Sequence, residues 1–199
     1  MLGDPTIVAT TGWTTDELAA ALDAFDARRT PVGAASAASS SAGSEDQELA
    51  AEAAPTKAGR AEAWDFATLL IGVNNQYRGR GVDEYRDQFA ALLARAIAYA
   101  GGRAGRVLVL SIPDWGVTPF AAREGRDADQ VARELDVFNA VARELCGRGG
   151  AAFVDITPAS RAHGGEAGML VDDGLHPSAA MYALWARLAL PVARGMLAS

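Results

Sequence analysis

The chain is short of the residues that would commit it to several common chemistries. Its 199 residues hold one cysteine, Cys146, which excludes an intrachain disulfide and any multi-cysteine metal cluster. Cys146 falls in a helical pattern with Val141 and Leu145 and reads as a small buried hydrophobe rather than a reactive thiol. There are two histidines, His163 and His176. Lys and Arg number 18 against 25 Asp and Glu, a formal net charge of -7, and no basic cluster is present to grip a phosphate backbone, so a nucleic-acid partner is excluded. No apolar run approaches the ~20 residues of a membrane span. The N-terminus has neither a basic flank nor an apolar signal core, so a cytoplasmic location is the expectation. Half of the residues are apolar, which supplies a sizeable core, and the length fits a single domain over residues 1–199.

Four short apolar runs read as strands: Thr6–Ala9, Phe66–Ile71, Arg106–Ile112 and Ala151–Ile156. The third contains Val107-Leu108-Val109-Leu110, continuous rather than alternating, as in a strand buried on both faces of a parallel sheet. Each run precedes a helical pattern. Thr14 and Glu17 are spaced as a capping box at the start of the first helix. The segment from Asp83 to Ala100 carries Tyr85, Phe89, Leu92, Leu93 and Ile97 on one face, and Gly101-Gly102 stops it. The segment from Asp127 to Cys146 repeats the pattern with Val131, Leu135, Phe138, Val141 and Leu145. A last helix is expected from Pro177 to about Met196, with proline at its first position. Alternating β and α units of this size imply a parallel sheet with helices on both faces, and right-handed crossovers align the strand C-termini along one edge, where ligands bind. One segment, about 30–61, breaks the pattern. It is rich in Ala, Ser, Gly and acidic residues, with Val32 and Leu49 as its large aliphatics, and reads as a low-complexity flexible insertion.

The strand ends hold the polar residues of interest. Gly12 follows the first run just ahead of a helix: it serves either an ordinary turn or a close backbone approach that aims its N–H at an anion. Asn74 and Asn75 follow the second run, where a side-chain amide polarises a carbonyl or simply suits a turn. The third run ends in Ser111-Ile112-Pro113-Asp114-Trp115, with Ser111 a capped strand end and Trp115 either packing or touching substrate. The fourth region is Val171-Asp172-Asp173-Gly174-Leu175-His176-Pro177-Ser178. A histidine acting as a general base needs a partner that fixes its tautomer and stabilises its cation, and Asp173 is placed three residues before His176 to do so. His163 sits in a glycine-rich surface loop and reads as solvated. Asp172, Asp173, His163 and His176 are metal-ligand types, but they lack regular ligand spacing.

Taken in order, these residues resemble the SGNH (GDSL-type) hydrolase family. Thr11-Gly12-Trp13-Thr14-Thr15 is similar to its glycine block, Gly72-Val73-Asn74-Asn75 to its Gly-x-Asn-Asp block, and Asp173-Gly174-Leu175-His176-Pro177-Ser178 to its Asp-x-x-His block; Ser111-Ile112-Pro113-Asp114 also matches what such proteins carry after the next strand. The resemblance spans nearly the whole chain apart from the insertion. It implies a flavodoxin-like three-layer α/β/α sandwich, a catalytic pair His176 and Asp173, an oxyanion hole from Asn74 and the Gly12 N–H, a small-molecule ester substrate and no cofactor or metal.

Two departures stand out. Asn75 replaces the family's aspartate, expected to be a supporting hydrogen-bond group. The Gly-Asp-Ser block that carries the serine nucleophile is missing: Gly3-Asp4-Pro5 resembles it only superficially, and there is no Gly-x-Ser-x-Gly elbow. The expectation is therefore an N-terminally truncated esterase or lipase without its first strand and nucleophile turn, inactive as it stands. A non-catalytic module for an acylated or glycan ligand, and metal-assisted hydrolysis through the Asp/His cluster, are the other readings. The oligomeric state is not legible.

Overall fold

The computed structural model describes residues 4–29 and 63–198; the insertion expected at about 30–61 lies outside the described residues. The elements follow in the order α1 (Thr15–Arg29), β1 (Ala67–Leu69), α2 (Val73–Tyr77), α3 (Val82–Tyr99), β2 (Val107–Leu110), α4 (Pro119–Arg123), α5 (Ala128–Gly149), β3 (Ala152–Val154), α6 (Thr157–His163) and α7 (Ala179–Ala198). The three strands form a parallel sheet in the order β1-β2-β3, with Ala67 opposite Val107 and Leu108 opposite Ala152.

The continuous apolar run of β2 is explained by two cores. Val107 and Val109 face a cluster with Tyr85, Phe89, Leu92 and Leu93 of α3 and Val131, Leu135, Phe138 and Val141 of α5. Leu108 and Leu110 face the other side, where Val154, Ile156, Met181 and Trp185 meet. Successive strand side chains point to opposite faces, so a strand covered twice must be apolar at every position. Burying each such aliphatic side chain stabilises the fold by about 1.5–3 kcal/mol. The result is a three-layer α/β/α sandwich. Among the described residues no helix is long and apolar enough to cross a membrane.

Side chains continue the work of the sheet where its ladder stops. The Ser111 hydroxyl accepts from the Ile156 N–H (2.8 Å) and the Thr157 N–H (3.0 Å), and donates to Asp155 (3.0 Å). Buried Asn139 of α5 brackets Ile112, accepting from its N–H at 2.7 Å and donating to its carbonyl at 3.1 Å. Ser111 is thus a strand-end anchor. Together these bonds fix the loop that carries Pro113, Asp114 and Trp115.

Three features differ from the sequence expectation. Thr6–Ala9 forms no strand, and Ile7 is 78% exposed. An apolar run becomes a strand only where a neighbour supplies ladder hydrogen bonds, and none of the described strands pairs with it. The last helix starts at Ala179, not at Pro177. Ser178 caps it by accepting from the Ala180 N–H (3.2 Å), while Pro177 bridges antiparallel to Leu170, so His176 stands outside the helix. At the start of α1, Glu17 accepts from the Thr14 N–H at 2.7 Å, the expected half of a capping box, but the Thr14 hydroxyl turns to the Glu17 and Asp16 carboxylates instead of a backbone N–H.

Candidate active site

A cavity of ≈ 300 Å³ opens where the turn at Thr11–Gly12, the loops after β1 and β2, and the segment 170–177 converge. Its lining includes Gly12, Asn74 and His176, three of the four residues singled out from the sequence. The fourth, Asp173, contacts His176 directly.

Gly72 makes the first corner. It ends the β1 segment with φ 121°, and a Cβ there would stand 2.7 Å from Tyr85 Cε2 and 2.8 Å from Ile112 Cδ1. Only glycine lets α2 begin this close to the core. α2 then presents Asn74 and Asn75 in different directions. The Asn74 amide donates to the Trp13 carbonyl at 3.0 Å and lines the cavity, which leaves its second amide hydrogen free. Asn75 is fully buried; its Oδ1 accepts from the Thr15 N–H (3.1 Å) and its Nδ2 donates to the Thr15 hydroxyl (2.7 Å). That pair of bonds clamps the start of α1, and with it the Gly12 turn, against α2. Gly12 adopts φ 93°, Arg78 holds its carbonyl at 2.7 Å, and no acceptor among the described residues takes its N–H.

The segment around His176 is a tight loop closed by backbone bonds. The Val171 N–H donates to the His176 carbonyl and the Gly174 N–H to the Val171 carbonyl, both at 2.9 Å. Asp173 Oδ1 accepts from the N–H groups of Leu175 (2.8 Å) and His176 (2.9 Å), and Oδ2 lies 2.5 Å from His176 Nδ1. The bond to the His176 ring, followed by the backbone bonds from His176 and Leu175, brings the Asp173 carboxyl down to about 2. An ionised carboxylate beside Nδ1 keeps the proton on that nitrogen, so Nε2 is the acceptor. α4 docks on this loop: the Phe120 N–H donates to the Gly174 carbonyl (3.0 Å) and Arg123 to the Asp173 carbonyl (2.6 Å).

The remaining walls are apolar, formed by Val73, Tyr77, Trp115, Phe120, Leu175, Met181 and Trp185. The Trp115 indole N–H donates to Gln76 at 2.7 Å, and Gln76 in turn donates to Glu134 at 2.7 Å, which fixes the ring as a cavity wall. Three polar side chains of the lining are already engaged. Asp114 accepts from the Gly116 N–H and from Arg161, both at 2.8 Å. Ser160 and Thr118 each donate to a backbone carbonyl, at 2.7 and 2.6 Å.

No serine among the described residues offers a free hydroxyl to His176. Ser111 donates to Asp155, Ser160 to the Thr157 carbonyl and Ser178 to the Gly168 carbonyl. His163 ends α6, pairs with Glu166 at 2.9 Å and does not line the cavity. Cys146 is buried in the α3/α5 core, and burial pushes its thiol up to about 11. Among the described residues no three His, Cys, Asp or Glu side chains gather as a metal-binding group. Sequence reading passed over Gln76, Arg123, Met181 and Trp185. The last two look like ordinary helix core, and no local motif signals the first two.

Comparison with known proteins gives the family and the fold. The profile of the GDSL-like Lipase/Acylhydrolase family matches residues 6–184. No curated protein sequence matches the chain. Among solved structures, a lipase/acylhydrolase from Enterococcus faecalis superposes with a TM-score of 0.55 at 17% identity, covering 92% of this chain and 72% of that one. A variant of Axe2, an acetyl xylan esterase from Geobacillus stearothermophilus, gives 0.57 at 18%, covering 92% and 68%. LAE5, an alpha/beta hydrolase enzyme from the metagenome of Lake Arreo, Spain, gives 0.56 at 20%, covering 94% and 71%. At these identities the likeness is one of fold.

Proposed function

The chain belongs to the GDSL-like lipase/acylhydrolase family, and from that premise and the geometry of the cavity we propose that it carries the acid–base and oxyanion-binding half of an ester hydrolase. The observation that carries the reading is the convergence of His176, Asn74 and Gly12 on one cavity, with Asp173 bonded behind the imidazole. In this reading a serine hydroxyl attacks the ester carbonyl and His176 Nε2 takes its proton. The free amide hydrogen of Asn74 and the Gly12 N–H stabilise the tetrahedral oxyanion. Collapse expels the alcohol, to which His176 returns the proton, and water repeats the sequence on the acyl intermediate. Asp173 holds the ring and stabilises its cation throughout. The chemistry needs no cofactor.

The nucleophile is the part of the machinery that the described residues do not hold, since their serine hydroxyls are all committed elsewhere. A constellation without its nucleophile retains a residual acceleration of roughly 10³–10⁴ over water. The chain as it stands is therefore expected to hydrolyse an activated ester such as p-nitrophenyl butyrate slowly but above background. Because that residual acceleration comes from oxyanion binding, Asn74→Ala lowers it at least tenfold whereas His176→Ala leaves most of it; an unchanged rate in N74A removes Asn74 from the mechanism. The same shortage of a free serine favours a second reading, a non-catalytic module that binds an acylated or glycan ligand. A fluorophosphonate probe separates the two. Labelling that depends on His176 means that a serine of this chain acts after all, whereas ester-analogue binding with no turnover above background favours the binding module.

A further inference from the structure

The Gly12 N–H can serve an oxyanion only if the turn that carries it is held still, and a glycine at φ 93° does not hold itself. The turn runs from Thr10 to Trp13, with the Trp13 N–H on the Thr10 carbonyl at 3.3 Å. Its hold comes from α2. Asn74 donates to the Trp13 carbonyl at 3.0 Å, and Arg78 donates to the Gly12 carbonyl at 2.7 Å. Two successive carbonyls of the turn are thus taken by side chains four residues apart, which share one helix face. The Arg78 N–H also donates to the Asn74 carbonyl at 3.1 Å, so the two side chains spring from a fixed base. Gly79, at φ 68°, closes the helix end with its N–H on the Gln76 carbonyl at 2.9 Å.

The Arg78 guanidinium also closes a ring around the turn. Its Nη1 reaches both Glu17 oxygens, at 3.3 and 3.2 Å, while Nη2 takes the Gly12 carbonyl. Glu17 Oε2 in turn accepts from the Thr14 N–H at 2.7 Å. As an ion pair alone, with side chains 42% and 40% exposed, Arg78 and Glu17 would contribute little. The planar fork of arginine is what lets one side chain hold a carbonyl and a carboxylate together. Arg80, two residues on, is engaged by Asp16 and Glu84. Arg78 does not line the cavity, so its effect on a substrate passes through Gly12. Resting on the ester-hydrolase reading above, we propose that Arg78 is a positioning residue for the oxyanion hole. It fixes the Gly12 N–H relative to the Asn74 amide, so that both donors are in place before charge develops on the carbonyl oxygen.

Two substitutions test this. Arg78→Met keeps the aliphatic stem and removes every donor, whereas Arg78→Lys keeps a charged donor. On the slow hydrolysis of p-nitrophenyl butyrate, R78M should lower kcat about tenfold with KM within about twofold, less than the loss of a whole donor because the Gly12 N–H is displaced and not deleted. R78K should return kcat to within about threefold of the parent. A second readout needs no turnover: the Gly12 amide resonance of isotope-labelled protein, titrated with hexylphosphonate, a stable tetrahedral anion. At saturation that shift reports the bond to the anion and not the affinity. The parent should show it, R78M should show less than half of it, and R78K should approach the parent. Hexanol, the neutral control, should bind all three proteins alike, since the apolar walls are untouched. An R78M protein with the parental kcat and Gly12 shift, an R78K protein no better than R78M, or hexanol binding lost along with the shift would overturn the proposal and leave the hydrolase reading standing. A parent protein that fails to bind hexylphosphonate, or binds it without moving the Gly12 resonance, would overturn both.

Discussion

Replacing Asn75 with alanine isolates the bond that joins the two halves of the oxyanion-binding side of the cavity. Asn75 and Thr15 are both fully buried and exchange two hydrogen bonds, one from the Thr15 N–H at 3.1 Å and one to the Thr15 hydroxyl at 2.7 Å. Asn75→Ala leaves the Thr15 N–H without an acceptor in the first turn of α1, out of reach of water. An unsatisfied buried donor costs about 1–3 kcal/mol, and the small void left by the amide adds up to about 1 kcal/mol. The expected loss is about 1–4 kcal/mol. At about 2–4 °C per kcal/mol for a chain of this size, Tm falls by roughly 2–16 °C. Asn75→Asp gives the contrast. One carboxylate oxygen still accepts from the Thr15 N–H, and the other accepts from the Thr15 hydroxyl once that hydroxyl releases Gln88, to which it now donates. N75D should therefore recover at least half of the stability that N75A loses, which also accounts for either residue suiting this position. Urea denaturation and thermal melts of the three proteins provide the measurement. An N75A protein within 0.5 kcal/mol of the parent, or an N75D protein no better than N75A, refutes the reasoning.

Gly72→Ala forces a Cβ to within 2.7 Å of Tyr85 and 2.8 Å of Ile112 at φ 121°, so steric overlap and backbone strain combine. The expected loss is about 3 kcal/mol or more in chemical denaturation, and parental stability would contradict the packing described. Asp173 has its folded pKa lowered to about 2 by His176 and two backbone N–H groups, below the ordinary carboxylate value. A depressed carboxylate contributes stability that is present above the unfolded value and lost as pH falls through the folded one, here from about pH 4 toward pH 2. Asp173→Asn should flatten that part of the acid limb of urea midpoint against pH; an unchanged limb speaks against the contact. Cys146, buried with its thiol pushed up to about 11, should resist a disulfide reagent in the native protein and react on unfolding.

Hydrophobic pattern carried most of the architecture because it records burial directly. The runs around Phe66–Ile71, Arg106–Ile112 and Ala151–Ile156 contain the three strands, and the faces of α3 and α5 hold the apolar residues expected of them. Helices α2, α4 and α6, of 5, 5 and 7 residues, escaped notice because two turns or fewer establish no periodicity. The run Thr6–Ala9 misled because strand formation depends on a partner, which composition cannot supply. Pro177 misled because an adjacent serine made the better cap. At the site, local spacing was enough for Asp173 and His176, since a loop can bring residues three apart into contact. What spacing could not reveal was tertiary: the Asn75–Thr15 clamp spans 60 residues, and the Trp115–Gln76 bond 39. Met181 and Trp185 reach the cavity only because α7 packs behind it.

The most direct test of the account is a crystal structure with a short alkylphosphonate, a stable mimic of the tetrahedral intermediate. The account predicts one phosphonate oxygen between the Gly12 N–H and Asn74 Nδ2, at about 2.7–3.1 Å from each, with His176 Nε2 on a second oxygen. A phosphonate bound elsewhere, or a His176 ring turned away from Asn74 with the anion in place, would contradict it.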